Sequence, residues 1–411
     1  MAYILGKRLL MIFHFAKVIL RFFSRQFFYT SLNIIGLSTG MASCIVIFLF
    51  ITHELSYDKF HRDGDRIFRV IRQSQMNGMP YNIGVTSGPF ATALKQDYAQ
   101  RIESVTRALA FDAMVTYKDR SFAEEQLLLA DKNFFDFFSF PLRAGDPSSV
   151  FENGNSLVIS AAVATRYFGS EDPIGKMIRL DDQYDLMVTG VMDESPGNSH
   201  LQFDAVGSLN IAEGEDWMED WWSNSFYTYV KLRSAQDAPF LNASFPAFME
   251  KYFGKDFERV GNKIGLTLEP LRDIYFNFDT RYEEDVAHGD RRYVYVFGTI
   301  GCLLLLLAGI NYINLATAQS STRAREVGIR KTLGSAQASV AIRFLSESFI
   351  LCLFSTVLAT GVAQVSIPVF NAQFGTSIPQ VFDDPRIFVF LLILVIVLTL
   401  AAGAYPSFLL S

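Results

Sequence analysis

The sequence predicts an α-helical membrane protein with four transmembrane helices and a large α+β domain inserted between the first and second helices. Three observations lead to this fold class. Hydrophobic residues make up 50% of the 411 residues, a high share for a soluble protein. Four apolar runs are each long enough for the roughly 20 residues that a helix needs to cross a bilayer. Acidic and basic residues are also separated along the chain rather than mixed.

The charge distribution places the middle of the chain and its ends on opposite sides of a membrane. Residues 52–290 contain 23 Lys and Arg residues against 38 Asp and Glu residues, whereas the remainder contains 13 basic and 4 acidic residues. Because basic loops stay on the cytoplasmic side, we expect both termini to be cytoplasmic and residues 52–290 to lie on the opposite side of the membrane. The acidic middle segment also disfavours nucleic-acid binding, which needs a basic folded surface.

Residues 1–26 predict an amphipathic helix that lies on the cytoplasmic face of the membrane. Apolar residues surround a polar stripe at helical spacing, as in interfacial helices. The stripe consists of Lys7, His14, Lys17, Arg21 and Arg25. A first transmembrane helix is the alternative, although the charges interrupt every possible span.

Four segments predict transmembrane helices because each is a long apolar run. These segments are residues 27–51, about 294–318, about 344–368 and about 387–408. The first contains small residues such as Gly36 and Gly40, which permit close packing of helices. The last three belong to one membrane domain over residues 291–411. Membrane lipids are therefore an expected partner.

The insert, residues 52–290, predicts one or two α+β modules. Runs with apolar and β-branched residues predict strands at residues 67–71, 157–160, 226–232 and 264–271. Segments with one apolar face predict helices at residues 88–98, 130–138 and 161–169. The insert is long enough to build its own hydrophobic core.

Two acidic clusters, residues 213–220 and 283–285, lack the spacing of a calcium loop and are interpreted as solvated surface. Three tryptophans, Trp217, Trp221 and Trp222, lie in and beside the first cluster. A patch that faces lipid or ligand and ordinary packing are both open interpretations of these tryptophans.

The chain shows no motif for catalysis, metal binding or disulfide formation. Cys44, Cys302 and Cys352 all lie in apolar runs. His53 and His61 lie near acidic residues but lack the spacing of a zinc motif, so we interpret both as surface or membrane-proximal structure. No P-loop or nucleophile motif is visible. We therefore expect no enzyme activity and no cofactor, and any energy source must come from a partner.

The segment from Asn311 to Ser348 joins two predicted spans through a basic stretch with a single acid. Charged residues alternate there with apolar residues, which is a suitable pattern for docking into a groove on a partner. The predicted coupling residues are Arg323, Arg325, Glu326, Val327, Gly328, Ile329, Arg330, Lys331, Leu333 and Gly334. A plain topological anchor is the alternative.

Asn311 and Asn314 lie on one face near the predicted cytoplasmic end of the second span. Polar residues at such positions most often form hydrogen bonds between helices. A substrate or proton path is the less favoured interpretation.

Several long segments resemble the bacterial ABC-transporter permeases of the MacB/FtsX type. NYINLATAQSSTRAREVGIRKTLGS followed by FLSES is similar to their permease signature, and RYFGSEDPIGKMI is similar to a motif of their periplasmic core domain. FHRDGDRIFRV and AGAYPSFLLS also fit. The resemblance implies a mechanotransmission (type VII) permease of the bacterial inner membrane, which works as a dimer with cytoplasmic ATPase subunits. It also implies that residues 52–290 are a periplasmic core domain with two α/β subdomains and that residues 291–411 are an FtsX-like permease domain. A coupling helix at residues 323–334 would then dock on the ATPase.

The resemblance implies export or extrusion of a substrate driven by ATP hydrolysis on a partner subunit. Macrolides, peptides, lipoproteins and signalling lipids are all compatible substrates. The alternative is an FtsX-like regulator that transmits ATP-driven motion to an envelope partner such as a cell-wall hydrolase. A periplasmic adaptor is a further expected partner. The chain is either a complete four-helix permease or the first half of an eight-helix permease.

Overall fold

The computed structural model describes residues 27–76, 79–259, 264–283, 285–332 and 337–410. The amphipathic helix predicted for residues 1–26 lies outside these residues. The chain divides into two compact units. The membrane unit comprises Met1–His53 and Arg292–Ser411, and the insert unit comprises Glu54–Arg291.

Helices make up the described membrane unit, whereas strands and helices alternate in the insert unit. The helices are α1 (Phe27–Glu54), α2 (Pro89–Asp97), α3 (Phe134–Phe137), α4 (Ala161–Phe168), α5 (Asp216–Glu219), α6 (Ala238–Arg259), α7 (Arg291–Thr332), α8 (Gln337–Phe374) and α9 (Arg386–Leu410). The strands are β1 (Ile67–Met76), β2 (Met79–Ile83), β3 (Thr86–Ser87), β4 (Ile102–Tyr117), β5 (Arg120–Ala130), β6 (Leu142–Ala144), β7 (Ser156–Ser160), β8 (Met177–Leu180), β9 (Tyr184–Met192), β10 (Ala205–Ser208), β11 (Asn224–Leu232), β12 (Gly265–Pro270) and β13 (Thr280–Arg281).

Three helical stretches among the described residues are long and apolar enough to cross a membrane. They are Thr30–Glu54 in α1, Arg291–Leu315 in α7 and Leu345–Phe374 in α8. The described apolar part of α9, Arg386–Ala401, is shorter. The first three predicted spans thus lie within helices of sufficient length, and the count of four spans stays a prediction.

One mixed sheet of thirteen strands runs through the described part of the insert unit. Its strand order is β13-β2-β1-β11-β4-β5-β10-β7-β9-β6, with β12 beside β1, β3 beside β11, and β8 beside both β4 and β9. Most neighbours are antiparallel, but β5 and β10, β7 and β9, and β2 and β13 are parallel. A mixed sheet with helices packed on it agrees with the predicted α+β class.

Different helices cover the two halves of this sheet. Phe90 of α2 and Phe245 of α6 are buried against β1, β11 and β12 in one hydrophobic cluster. Val163 and Phe168 of α4 are buried against β7, β8 and β9 in another. A third cluster lies between them and is rich in phenylalanine, including Phe134. The first half of strand β1, residues 67–71, is buried on both faces, as expected for a strand covered on both sides.

The local sequence accounts for both ends of α4. The Ser160 hydroxyl accepts a hydrogen bond from the Val163 amide at 3.2 Å, which caps the first turn. Gly169 follows the last residue with a φ of 64°, in the left-handed region where glycine carries no steric penalty. The helix predicted at residues 161–169 is confirmed.

The helix predicted at residues 130–138 is mostly wrong. Strand β5 continues to Ala130, which pairs with Ala108 of β4 and Ser208 of β10. Only Phe134–Phe137 forms a helical turn. The apolar run before it belongs to a strand because neighbouring strands cover both of its edges, a contact that local periodicity does not reveal.

The tryptophans belong mainly to the core of the insert unit. The Trp221 ring lies 5.1 Å from Phe90, and the Trp217 ring stacks on Phe226 at 5.6 Å. Trp222 is 45% exposed but also contacts Phe253. Packing is therefore the better of the two open interpretations for Trp217 and Trp221.

Candidate functional site

The predicted coupling residues up to Lys331 lie on the last turns of α7. Helix α7 runs without interruption from Arg291 to Thr332, so the span and the segment that follows it form one continuous helix. Leu333 and Gly334 lie outside the described residues. The structure thus assigns a helical backbone to residues 323–332, and docking on an ATPase stays a prediction.

The first span packs closely against α7 through glycine. A methyl group added to Gly40 would lie 2.7 Å from the Cβ atom of Ala308, which is closer than two carbon atoms can approach. A methyl group added to Gly36 would lie 2.9 Å from the Asn311 side-chain nitrogen. The two glycines are four residues apart and therefore face the same partner helix.

The same contact continues towards the other end of the two helices. The Cys44 thiol donates a hydrogen bond to the Gly301 carbonyl oxygen at 3.4 Å. A methyl group added to Gly301 would lie 3.3 Å from Ile47. Contact positions rise along α1 as they fall along α7, so the helices are antiparallel. We call this line of contacts the α1–α7 seam; it consists of Gly36, Gly40, Cys44 and Ile47 with Gly301, Ala308 and Asn311.

Buried hydroxyl groups connect α8 to both helices of the seam. The Ser38 hydroxyl of α1 donates to the Ser355 carbonyl oxygen at 3.1 Å. The hydroxyl groups of Tyr312 in α7 and Ser348 in α8 lie 3.0 Å apart. Hydrogen bonds of this kind favour one register between helices in an apolar medium. The described part of the three helices therefore forms one packed cluster.

Asn311 lies close to Gly36 of α1, but both predicted asparagines are exposed in the single chain, and their role in hydrogen bonds between helices stays a prediction. An amide in the hydrocarbon region is costly unless it finds a partner or water. In the most apolar stretch of each helix, 17% of α7 is buried, whereas 44% of α1 and 44% of α8 are buried. Helix α7 is thus the least covered of the three.

The insert unit contains a buried polar chain that the sequence analysis missed. Asp58 accepts hydrogen bonds from the His200 backbone amide at 3.1 Å and from its ring Nδ1 at 2.8 Å. The His200 Nε2 atom lies 2.9 Å from the Tyr229 hydroxyl. Burial raises the pKa of Tyr229 well above its ordinary value, so the phenol stays protonated and can donate to His200. All three side chains are fully buried.

A second buried group centres on Arg69 of β1. Its guanidinium donates to Glu269 of β12 at 2.6 and 2.9 Å, and its Nη2 atom lies 2.9 Å from Glu283. Burial opposes the charge on Arg69, but the Glu269 and Glu283 carboxylates outweigh it and raise the pKa of the guanidinium. Glu283 also pairs with His288 at 2.8 Å. The interpretation of residues 283–285 as solvated surface is therefore wrong for Glu283.

The first and last segments of the insert unit are fixed to each other. The Tyr275 hydroxyl lies 2.9 Å from both carboxylate oxygens of Glu54. The Tyr57 ring stacks on Tyr275, and the Gly289 amide donates to the Tyr275 carbonyl oxygen at 2.8 Å. Burial raises the pKa of Tyr57 to about 12. Residues near both ends of the insert therefore share one cluster of contacts.

Of the two interpretations of His61, surface or membrane-proximal structure, the structure excludes the surface position. His61 is 2% exposed, and its Nδ1 atom accepts a hydrogen bond from the Ser139 amide at 3.1 Å. His53 is buried at the end of the first span, where its ring contacts Ser377 at 3.3 Å. Within the described residues, no group of three His, Cys, Asp or Glu side chains is arranged to hold a metal ion.

Comparison with protein families identifies the architecture. A model of the MacB-like periplasmic core domain matches residues 30–246, and a model of the FtsX-like permease C-terminal domain matches residues 298–411. The chain belongs to the family of MacB-like ABC permeases. This family is found in the inner membrane, and the apolar helices α1, α7 and α8 are consistent with that location.

Individual relatives of this MacB-like permease are distant. It is 23% identical over 295 residues to the macrolide export ATP-binding/permease protein MacB of Neisseria gonorrhoeae. This alignment covers 70% of the present chain and 41% of that protein. It is 22% identical over 218 residues to the ABC transporter permease YknZ of Bacillus subtilis. That alignment covers 52% of the present chain and 49% of YknZ. The chain thus spans less than half the length of these relatives.

The periplasmic region of MacB from Actinobacillus actinomycetemcomitans is a similar solved structure. The comparison has a TM-score of 0.35 and 16% sequence identity, and it covers 49% of this chain and 88% of that structure.

We predict that Gly40→Ala destabilises the membrane unit by about 1–3 kcal/mol, because the new methyl group overlaps Ala308. In an open helical position the same change stabilises by about 0.5–1 kcal/mol. Cys44 and Cys352 are buried in the membrane unit whereas Cys302 is exposed, so in a Cys302→Ser background a thiol-reactive dye reports the thermal unfolding of this unit.

The matched control is Gly309→Ala on α7, where an added methyl group meets nothing within 4 Å. The double variant Gly40→Ala with Ala308→Gly should recover the lost stability. Equal melting temperatures for Gly40→Ala and Gly309→Ala would show that the seam does not constrain the helices.

We predict that Tyr229→Phe destabilises the insert unit by about 1–3 kcal/mol, because it leaves the buried His200 Nε2 atom without its partner. All three tryptophans lie in the insert unit, so tryptophan fluorescence during denaturation of the whole chain reports this unit. Tyr184→Phe, at a 41% exposed position on β9, is the control and should change the transition little. Equal effects of the two substitutions would contradict the role given to the hydroxyl.

We predict that His61 makes the insert unit less stable as the pH falls from about 6.5 towards 3. Burial lowers the pKa of His61 to about 3, although nearby Asp58 acts in the opposite direction. The unfolded chain therefore takes up a proton that the folded chain does not, which costs about 1.4 kcal/mol per pH unit within this window. His61→Asn should flatten the dependence of the unfolding free energy on pH between 6.5 and 5. Parallel pH profiles for the two proteins would rule out this contribution.

Proposed function

We propose that this chain is the permease subunit of a MacB-type mechanotransmission exporter. It couples ATP hydrolysis on a separate cytoplasmic ATPase subunit to a conformational change of the periplasmic insert, which extrudes a substrate. The chain itself then needs no ATP site and no cofactor. The observation that carries the proposal is the unbroken helix α7.

The length of α7 supports this role. Its 42 residues extend about 63 Å at 1.5 Å per residue, roughly twice the ~30 Å hydrocarbon core. The helix begins at Arg291, the last residue of the insert unit, and ends beyond the basic residues of the predicted coupling segment. It contains no proline, and sharp kinks in helices usually occur at proline. A force on its basic end is therefore passed along its whole length.

The α1–α7 seam supports the transfer of motion to the second connection of the insert. Helix α1 leads into the insert unit and α7 leads out of it. Because Gly36 and Gly40 bring the two helices into close contact, α1 follows a displacement of α7. The contact between Glu54 and Tyr275 keeps the two ends of the insert together during such a movement.

A second permease copy is the expected membrane partner. The exposed amides of Asn311 and Asn314 on the poorly covered helix α7 are suitable for hydrogen bonds with another copy. Both termini are then cytoplasmic, the insert is periplasmic, and a periplasmic adaptor or other envelope partner contacts the insert. The names of the relatives support export as the activity.

The proposal predicts that Ser320→Pro uncouples the permease. Proline interrupts the helix between the span and residues 323–334 at a cost of about 3 kcal/mol or more, but it leaves those residues unchanged. We expect the ATPase subunit recovered by affinity purification to bind this variant as it binds the wild type. Nucleotide-dependent changes in hydrogen exchange of the insert, measured on the reconstituted complex, should be lost.

Ser320→Ala is the matched control, since it removes the same hydroxyl and keeps the helix. Arg330→Glu combined with Lys331→Glu tests docking separately and should prevent recovery of the ATPase. If the insert of Ser320→Pro responds to nucleotide like the wild type, α7 does not transmit the motion. If no ATPase subunit is recovered with the wild-type chain, the coupling role is refuted.

A further inference from the structure

Arg72 is a partly buried cation of the insert unit that has no carboxylate partner among the described residues. Carboxylates pair with other arginines of this unit, for example Arg66, Arg107 and Arg179. The Arg72 guanidinium makes one hydrogen bond within the described part of the chain, in which Nη1 donates to the neutral Asn224 side-chain oxygen. Its Nε atom is buried and has no hydrogen-bond partner there. Burial lowers the pKa of Arg72 from its ordinary value, because no carboxylate of these residues offsets the loss of hydration.

Arg69 shows how the same strand compensates a buried guanidinium. Its Nε and Nη2 atoms, which form one edge of the group, donate to Glu269 at 2.9 and 2.6 Å. The corresponding edge of Arg72, three residues further along β1, has no acceptor among the described residues. A charge withdrawn from water is costly unless a partner satisfies it. The free edge of Arg72 is therefore suited to an oxyanion from outside the chain.

A second arginine, Arg281, lies at the same level of the sheet. Ile83 of β2 pairs with Arg72 of β1 on one side and with Arg281 of β13 on the other. Because neighbouring strands lie about 4.8 Å apart, the Cα atoms of the two arginines are about 10 Å apart. Within the described residues no carboxylate pairs with Arg281, whose Cζ atom lies 4.9 Å from the centroid of the Tyr81 ring. Two cations thus lie near one aromatic ring.

Two tyrosines complete this surface. Tyr81 and Tyr282 both act electrostatically on the Arg72 guanidinium, so their phenol groups lie near it. Tyr282 is 67% exposed and has a φ of 60°, in the left-handed region that large side chains rarely adopt. Strained residues of this kind persist where their surroundings fix them, as at ligand sites. The surface therefore combines two guanidinium groups with two phenols.

We propose that Arg72, Arg281, Tyr81 and Tyr282 bind a small molecule that carries a carboxylate or phosphate group on an aromatic or apolar body. Two parallel N–H groups on the free edge of Arg72 match two oxygens of either group. The Tyr282 ring offers an exposed flat surface for the rest of the molecule. Because residues 52–290 contain 38 acidic against 23 basic residues, the unit as a whole repels an anion, and binding requires these particular groups. The site does not depend on coupling to an ATPase.

Isothermal titration calorimetry on the whole chain in an uncharged detergent tests this site with two probes, benzoate and phenyl phosphate. Benzamide is the neutral control probe, since it keeps the ring and lacks the charge. We expect saturable binding of at least one anion at constant ionic strength, and roughly tenfold weaker binding of benzamide. Arg72→Gln should weaken binding of the anion roughly tenfold, and so should Arg72→Lys, which keeps the charge but loses the fork of N–H groups. The anion that binds more tightly identifies carboxylate or phosphate as the preferred group.

Arg120→Gln is the matched control, because it removes the same charge from an exposed arginine that also lacks a carboxylate partner among the described residues. Binding to this variant should be unchanged. Tryptophan fluorescence during denaturation shows whether each variant is folded. Arg281→Gln, at an exposed position, should also weaken binding and is the second blocking variant in case Arg72→Gln does not fold.

Equal affinities of the wild type and the folded blocking variants would refute the site, and so would equal losses in these variants and in Arg120→Gln. The proposal also fails if the wild type binds neither anion, or binds benzamide as tightly as the anions. In that case water alone satisfies the Arg72 guanidinium.

Discussion

The close approach of α1 and α7 is the contact on which the membrane unit depends. Lipid tails are as apolar as leucine, so helices in a membrane associate through packing and a few polar contacts rather than through the hydrophobic effect. Gly36 and Gly40 allow that packing because Ala308 and Asn311 occupy the space of their absent side chains. Hydrogen bonds from the Ser38 hydroxyl of α1 and between the hydroxyls of Tyr312 in α7 and Ser348 in α8 then connect α8 to both helices. The size of a few side chains therefore determines how these helices meet.

The insert unit depends on a different constraint, which is the compensation of buried charge. A charge removed from water is tolerated only where partners satisfy it, and loss of one partner is costly. Arg69 is held by Glu269 and Glu283, which lie about 200 residues further along the chain. Asp58 is held in the same way by His200. These contacts hold the first segment of the insert against its later segments.

Helix α1 contacts two other described helices of the membrane unit. Small residues face α7, and the Ser38 hydroxyl donates a hydrogen bond to α8. A movement of α7 in the proposed mechanism therefore reaches α1 directly.

Features that depend on local residue order could be predicted from the sequence: the apolar spans, the charge separation, the capped helix α4 and the family motifs. The seam glycines could also be recognised as small, but not their partners. Tertiary structure alone decided that Arg69, His61 and Glu283 are buried, because their partners Glu269, Ser139 and Arg69 come from distant parts of the insert. It also decided that residues 127–130 form a strand, since that depends on β4 and β10. Local composition reports which residues can be buried; contacts between distant segments determine which of them are.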